Sequence, residues 1–511
     1  MSEKYIISTD SGTQSTRVMI FDTHGKKIVS AKASHSPLIS PDFNWFEHPK
    51  GELWAKMVEA FHACLKEFKG DVKDIVAIGL GTQRACNIYL DKEGNEIYNT
   101  ISWMDQRWWG NVPKIGELPP DAKNPYHYFY PYYSLVNFMK FYVPELYEKI
   151  DKVLNVSAFC CWKMTGKFCE TYGNNLRYPW DLEHFKPYDT DAEITAMGMK
   201  PSQLPEPVMP GTKVGGLSAA AAKELGLPEG LPVVLTAGDK QNEMVGAGAI
   251  NEGNAYMTLG TLCGYDVVSK KWAPSLENHF MTYGAGNPGF FNYEASIQMG
   301  MSLVTWFKDQ FYYGFKEEAA KQGVSIESIM DKEAEHIPAG CDGLFVMPDW
   351  IPDSTRPASK GMFLGYDSRH GRGHMFRALV EGIVQQLKLG FDIMDKEVQV
   401  PVSSLYIGGG GSKADFIAQI VADVFNLPVQ RLNESENCSL GAAMLAAVGV
   451  GVYPDVPVAV KAMIGTSDPF TPNAANNKVY KELRDDVMLK IYPAMEPVLK
   501  RLAEICPPAA K

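Results

Sequence analysis

Residues Ser8–Arg17 read STDSGTQSTR and lie between two apolar runs, Tyr5–Ile7 and Val18–Phe21. Each run is short and rich in β-branched or aromatic residues, which predicts a strand on either side. The polar stretch between them reads as the turn of a β-hairpin, with Gly12 supplying a positive φ. Thr13, Ser15 and Thr16 offer hydroxyls and the turn offers backbone N–H groups, a combination that binds anions. Asp10 stands at the edge. A carboxylate repels a neighbouring phosphate unless a cation lies between them, so the stretch points to a Mg²⁺–phosphate site. An ordinary polar hairpin would look the same in isolation.

Two later stretches extend the pattern. Ala255–Leu262 (AYMTLGTL) is a strand entering a Gly-Thr turn, and Leu405–Ser412 (LYIGGGGS) is a strand ending in four glycines before a helix. Three strand ends that open into small-residue turns suggest a duplicated α/β fold holding one nucleotide between its halves. Gly411-Ser412-Lys413-Ala414 lacks the Gly-Lys-Ser/Thr order of a Walker A loop, and no GxGxxG joins a strand to a helix.

Around these stretches the periodicity predicts a strand over 28–33, a helix over 52–69 and a strand over 75–80 ending at Gln83-Arg84. Helices are also expected over 135–150, despite Pro144, and over 219–225, 242–249, 302–311 and 377–394. The small-residue run 440–450 reads as a buried helix in close contact with its neighbours. The pattern of the first residues restarts at Asn251, which sets the expected division: residues 1–250 and 251–511.

The 511 residues suffice for two or three full cores. A net charge of −11 argues against a nucleic-acid-binding footprint, which is normally basic. Nine scattered cysteines without a CxxC pair fit reduced thiols. No run of about 18 apolar residues marks a membrane span, and the N-terminus lacks a secretory core. A cytoplasmic enzyme is therefore expected, binding neither nucleic acid nor membrane.

Four landmarks, in order, give the chain a family resemblance. They are Asp10–Arg17; Ala237-Gly238-Asp239 followed by Gly246-Ala247-Gly248; Gly361–Gly365 with His374-Met375 and Ala378–Glu381; and Gly408–Ser412 with Gln419, Ala422-Asp423 and Gly441-Ala442-Ala443. Together they resemble the FGGY carbohydrate kinases, on the actin-like, ribonuclease H-like ATPase fold. Tyr366 departs from the aliphatic residue usual in the third landmark. The family's Lys-then-apolar-Trp signature is not evident at Tyr132-Tyr133-Ser134-Leu135, part of the sugar pocket in relatives.

The resemblance implies two such ATPase domains, with a nucleotide and sugar cleft between them. It implies ATP and Mg²⁺ as cofactors and a sugar or polyol as the partner, with a homodimer as the candidate assembly. Asp239 would be the catalytic base, since an alcohol must lose its proton as the O–P bond forms. A plain helix N-cap is the alternative reading of that residue. Asp10 would organise the metal through water. Thr13, Arg17, Gly260, Thr261, Gly300, Gly409 and Gly410 would contact the nucleotide. Gln83, Arg84 and Asp105, with Asp239, would bind acceptor hydroxyls. A ketopentose such as xylulose is the expected substrate, with glycerol or erythritol-type polyols next. Outside the kinases, the competing readings are an actin-like ATP-gated machine and a catalytically lapsed sugar-binding regulator.

Overall fold

The computed structural model describes residues 3–107, 134–175, 178–275, 277, 279–297, 299–351, 356–431, 436–465 and 468–506. Trp108, Trp109 and the Pro- and Tyr-rich stretch 113–133 lie outside the described residues. The opening hairpin pairs Tyr5–Ser11 antiparallel with Ser15–Asp22, from Tyr5 opposite Asp22 to Ser11 opposite Thr16. The strands run further into the polar stretch than apolar content predicts, because the ladder is made by backbone groups whatever the side chain. The turn is only Gly12–Gln14, closed by the Gly12 N–H donating to the Ser15 carbonyl at 3.0 Å. Gly12 is not among the positive-φ glycines, which corrects the expectation for it.

The chain builds the same sheet twice. The first runs Lys27–Ser34, Ser15–Asp22, Tyr5–Ser11, Ile75–Thr82, Pro232–Gly238. The second runs Phe291–Ile297, Cys263–Ser269, Asn254–Leu259, Ser404–Gly408, Val429–Arg431. In each, three antiparallel strands are followed by two parallel to the last of them. One antiparallel edge strand is added to each sheet, Thr212–Gly216 to the first and Met281–Gly284 to the second. Parallel neighbours carry their turns at the same end of the sheet, so each sheet gathers its small-residue turns along one rim.

Helices cover the sheets. Glu52–Glu67 buries Leu53, Trp54, Met57, Ala60, Phe61 and Cys64 in the first core, at the helical spacing its sequence shows. Arg372–Val398 and Asp415–Phe425 pack in the second core. The helix expected over 135–150 is two helices, Leu135–Tyr142 and Pro144–Tyr147, broken at Val143. Pro144 has no N–H to continue the ladder, and it disfavours helical geometry in the residue before it.

Helix Asn437–Gly449 follows the second sheet in sequence but packs on the first, against Ile6, Ala77 and Val234. A Cβ added to Gly79 in that sheet would lie 2.6 Å from the Ala442 carbonyl oxygen, so strand and helix approach as closely as backbones allow. Among the described residues no helix is long and apolar enough to cross a membrane.

Candidate active site

Strand Pro232–Gly238 delivers Asp239 to the first position of helix Asp239–Ala247, where the helix dipole favours a carboxylate. Asp239 Oδ1 accepts from its neighbour's backbone, Lys240 N, at 2.8 Å. The same oxygen lies 3.1 Å from Arg84 Nε. Gly238 makes this contact feasible, since a Cβ there would sit 2.6 Å from the Arg84 stem. The other edge of the Arg84 guanidinium reaches across to the second sheet. Its two terminal nitrogens donate to the two oxygens of Glu294, at 2.8 and 3.1 Å. Burial works against the charge of Arg84, and Glu294 and Asp239 more than offset it, so the group stays protonated. Asp266, directly opposite Glu294 in the ladder, accepts from the Tyr283 hydroxyl at 3.2 Å, and burial beside Glu294 pushes its carboxyl well above the usual range.

Asp10 lies at the rim end of its strand. Burial raises its carboxyl to about 6, against the pull of Arg17 at 3.5 Å and with the negative charge of Asp239 adding to the rise. The Cys438 thiol, at the start of helix Asn437–Gly449, donates to it at 3.5 Å. Arg17 is shared with Glu436, also at 3.5 Å. Among the described residues no group of three or more metal-ligating side chains forms, so a divalent metal beside Asp10 would be held by that carboxylate and largely by water.

The other residues expected near the acceptor divide. Arg84 stands beside Asp239. Gln83 is buried, accepting from the Thr13 hydroxyl at 3.0 Å and lying 3.4 Å from His48. The Thr13 oxygen also accepts from the Trp103 indole at 2.8 Å, so its side chain is committed within the protein. The Thr16 hydroxyl is likewise internal, shared with Ser11 and His35. Asp105 corrects its expected role. Its side chain is 0% exposed and ion-paired with Arg107 at 2.8 Å. One oxygen also accepts from Phe46 N and the other from Arg107 N. Arg107 in turn holds Glu47. The group is a buried brace and faces no solvent.

The glycine turns of the second sheet meet at a cavity of about 920 Å³, lined among others by Gly260, Thr261, Ser302, Asp331, Gly410 and Lys413. Gly409 has φ +85, and a Cβ there would lie 2.8 Å from Leu259 backbone, so this glycine lets two strand ends touch. Gly410 has nothing within 4 Å of its Cβ position. Gly300 is a packing glycine behind the lining, where a Cβ would lie 2.4 Å from Cys263 N. Burial, with Glu327 adding to it, raises Asp331 in the cavity wall to about 6.

Sequence reading missed Glu294, Asp266, Glu436 and Cys438. A signal existed for the first two. Each is a single acidic residue in a strand of otherwise apolar and small side chains, FNYEASI and CGYDVVS, and a charge is buried there only with a partner.

Residues 5–246 match the FGGY family of carbohydrate kinases, N-terminal domain, and residues 255–450 its C-terminal domain. The chain is 31% identical over 508 residues to an uncharacterized sugar kinase, YgcE, of Escherichia coli K12, covering 99% of this chain and 96% of that one. It is 29% identical to a glycerol kinase of Shewanella pealeana, over 94% of this chain and 97% of the relative. A ligand-bound xylulose kinase from Lactobacillus acidophilus superimposes with a TM-score of 0.83 at 21% identity, over 98% of this chain and all of that one.

Proposed function

This chain belongs to the FGGY family of carbohydrate kinases and is an ATP-dependent carbohydrate kinase; we propose that its acceptor is a ketopentose such as xylulose and that Asp239 is the base. The observation that carries the proposal is the junction of Asp239, Arg84, Glu294 and Asp266. It brings acidic and guanidinium groups from both halves together around Asp239, the most exposed of the four, and the ketopentose is read from the likeness to a xylulose kinase. The chain is read as dividing near residue 250, with the acceptor and base in the first half and the nucleotide in the second.

Asp239 Oδ2 faces the acceptor and takes the hydroxyl proton as the oxygen attacks, while Oδ1 stays on Arg84 and Lys240 N. Arg84 donates to acceptor hydroxyls from its edge position. Gln83 contributes by fixing Thr13, and Thr13 offers the turn's backbone to phosphate. Arg17, placed between Asp10 and Glu436, faces the phosphate end. Gly260, Thr261, Gly409 and Gly410 shape the nucleotide cavity, with Gly300 behind them. Asp10 would hold Mg²⁺ through water, and the metal when bound supplies neutralisation of phosphate charge.

A glycerol or erythritol-type acceptor is the second reading, favoured by the glycerol kinase among the relatives. ADP release measured over a panel of about twenty polyols and ketoses decides between them. A kcat/KM for glycerol or erythritol above that for every ketopentose replaces the first reading with the second.

A further inference from the structure

Glu294 belongs to the second sheet, yet it is bonded to an arginine 210 positions earlier in the chain. Its two oxygens meet the two terminal nitrogens of Arg84, the fork-on-fork geometry that fixes a guanidinium in one plane. A third nitrogen of that plane, Nε, lies 3.1 Å from Asp239 Oδ1. The Arg84 and Glu294 side chains are 11% and 13% exposed, and the guanidinium lies 5.1 Å over the Tyr283 ring, which limits its tilt. Stability alone is a poor reason for such a group, since buried ion pairs are often no better than apolar residues of the same volume. Asp266 adds a further buried carboxylate to the same place.

We propose that Glu294 is a positioning residue for phosphoryl transfer, holding Arg84 so that Arg84 fixes the rotamer of Asp239. The inference rests on Asp239 being the base. The second half thus contributes to the orientation of a base carried by the first. The Asp239 carboxylate turns Oδ2 toward the acceptor only while Oδ1 is held. The hold needs both sheets in their present arrangement, so the aim of the base depends on how the two halves meet.

In Glu294→Gln one oxygen becomes an amide donor facing an Arg84 donor, so one of the two cross-sheet bonds is lost. With D-xylulose as acceptor, or glycerol if the panel selects it, kcat is expected to fall about 10- to 100-fold, the scale of a misplacement near 1 Å. KM for ATP should stay within about twofold; the melting temperature should fall, because the neutral amide leaves the buried Arg84 charge less compensated, so kcat is compared well below it. Glu294→Asp keeps the charge and should recover part of the loss. Arg84→Lys combined with Glu294→Gln should lose less than the product of the two single losses, because both act through one contact. A folded Glu294→Gln enzyme with kcat within twofold of wild type overturns the proposal. So does a loss confined to the KM for ATP, or an Asp variant no better than Gln. Asp239→Asn is measured alongside. If that variant keeps wild-type kcat, the base assignment fails, a result separate from any given by Glu294.

Discussion

Asp239→Asn isolates basicity from geometry. Both groups beside the carboxylate meet the same oxygen: Lys240 N donates to Oδ1 at 2.8 Å, and Arg84 Nε lies 3.1 Å from it. Asparagine keeps a carbonyl oxygen there and puts an NH₂ where Oδ2 was. The side chain is 32% exposed, so the new amide can reach water and leaves no buried donor unpaired. Arg84 keeps its two bonds to Glu294 and has no reason to swing away. Fold and ATP affinity should therefore be preserved, while the acceptor proton has nowhere to go. Loss of a positioned base costs about 10²- to 10⁴-fold, which corresponds to about 2.7–5.4 kcal/mol in the barrier. Coupled detection of ADP measures kcat, and calorimetry with ATP checks the binding site. If pure, folded Asp239→Asn turns over its best acceptor within a few-fold of wild type, the proton is taken elsewhere.

Four further outcomes are expected. Asp10→Ala should raise the Mg²⁺ concentration needed for half-maximal activity with little change in acceptor KM; an unchanged Mg²⁺ titration rejects the assignment. Gly410→Val should weaken ATP binding in calorimetry while leaving the melting temperature alone, because its Cβ enters empty cavity; normal ATP affinity in the folded variant counts against the nucleotide site. Glu170 is fully buried, and burial raises its carboxyl from 4.5 to about 7 despite bonds from Ser157 and Thr171 N. An acid raised in the folded state contributes stability that is complete below 4.5 and is lost as pH rises through 7. That interval is worth ~3 kcal/mol at about 1.4 kcal/mol per pH unit. Glu170→Gln should thus be relatively more stable than wild type at pH 8 than at pH 5 in denaturant melts, and an unchanged difference between the two pH values disproves the linkage. Finally, acceptor plus a non-hydrolysable ATP analogue should reduce the radius of gyration in small-angle scattering, with ATP hydrolysis slow until an acceptor is present. An unaltered radius with fast acceptor-independent hydrolysis removes closure from the mechanism.

The sheets were legible because their strands announce themselves locally. Tyr5–Ile7, Val18–Phe21 and Ala255–Leu259 carry β-branched and aromatic side chains, and the glycines that follow mark strand ends. The duplication could be read because both Gly-Thr-type turns occur at equivalent points of the two sheets. What could not be read was direction. Asp105 and Arg84 are both polar residues beyond strands, and nothing local says that one closes a buried brace with Arg107 and Glu47 while the other meets Asp239 and Glu294. Gly12 was misread because hairpin turns often need a left-handed residue, whereas this one closes through the Gly12–Ser15 bond without it. Glu294 and Asp266 acquire meaning only when the second sheet is set against the first, a contact spanning about 200 residues that no short window contains.

The small-residue helix at 437–449 shows how the two halves come to share one site. It packs on helix Asp239–Ala247 through a pair of glycines. A Cβ on Gly246 would lie 1.9 Å from the Asn437 carbonyl oxygen, and one on Gly441 would lie 2.0 Å from that of Asn242. Both helices begin at the cleft, one with Asp239 and the other with Cys438 against Asp10. A wider crossing would move Asp239 and Cys438, the neighbour of Asp10, apart together, so the glycines fix the spacing of those groups. The small-residue helix is held on the first sheet by Leu440, Ala443, Met444 and, beyond it, Val456, Ala459 and Met463. In the present arrangement the second sheet already brings Glu294 to Arg84. The close crossing explains why the chain places glycine where helix propensity would choose alanine, at a cost of about 1 kcal/mol per position. The close approach it permits brings together groups that neither half could align alone.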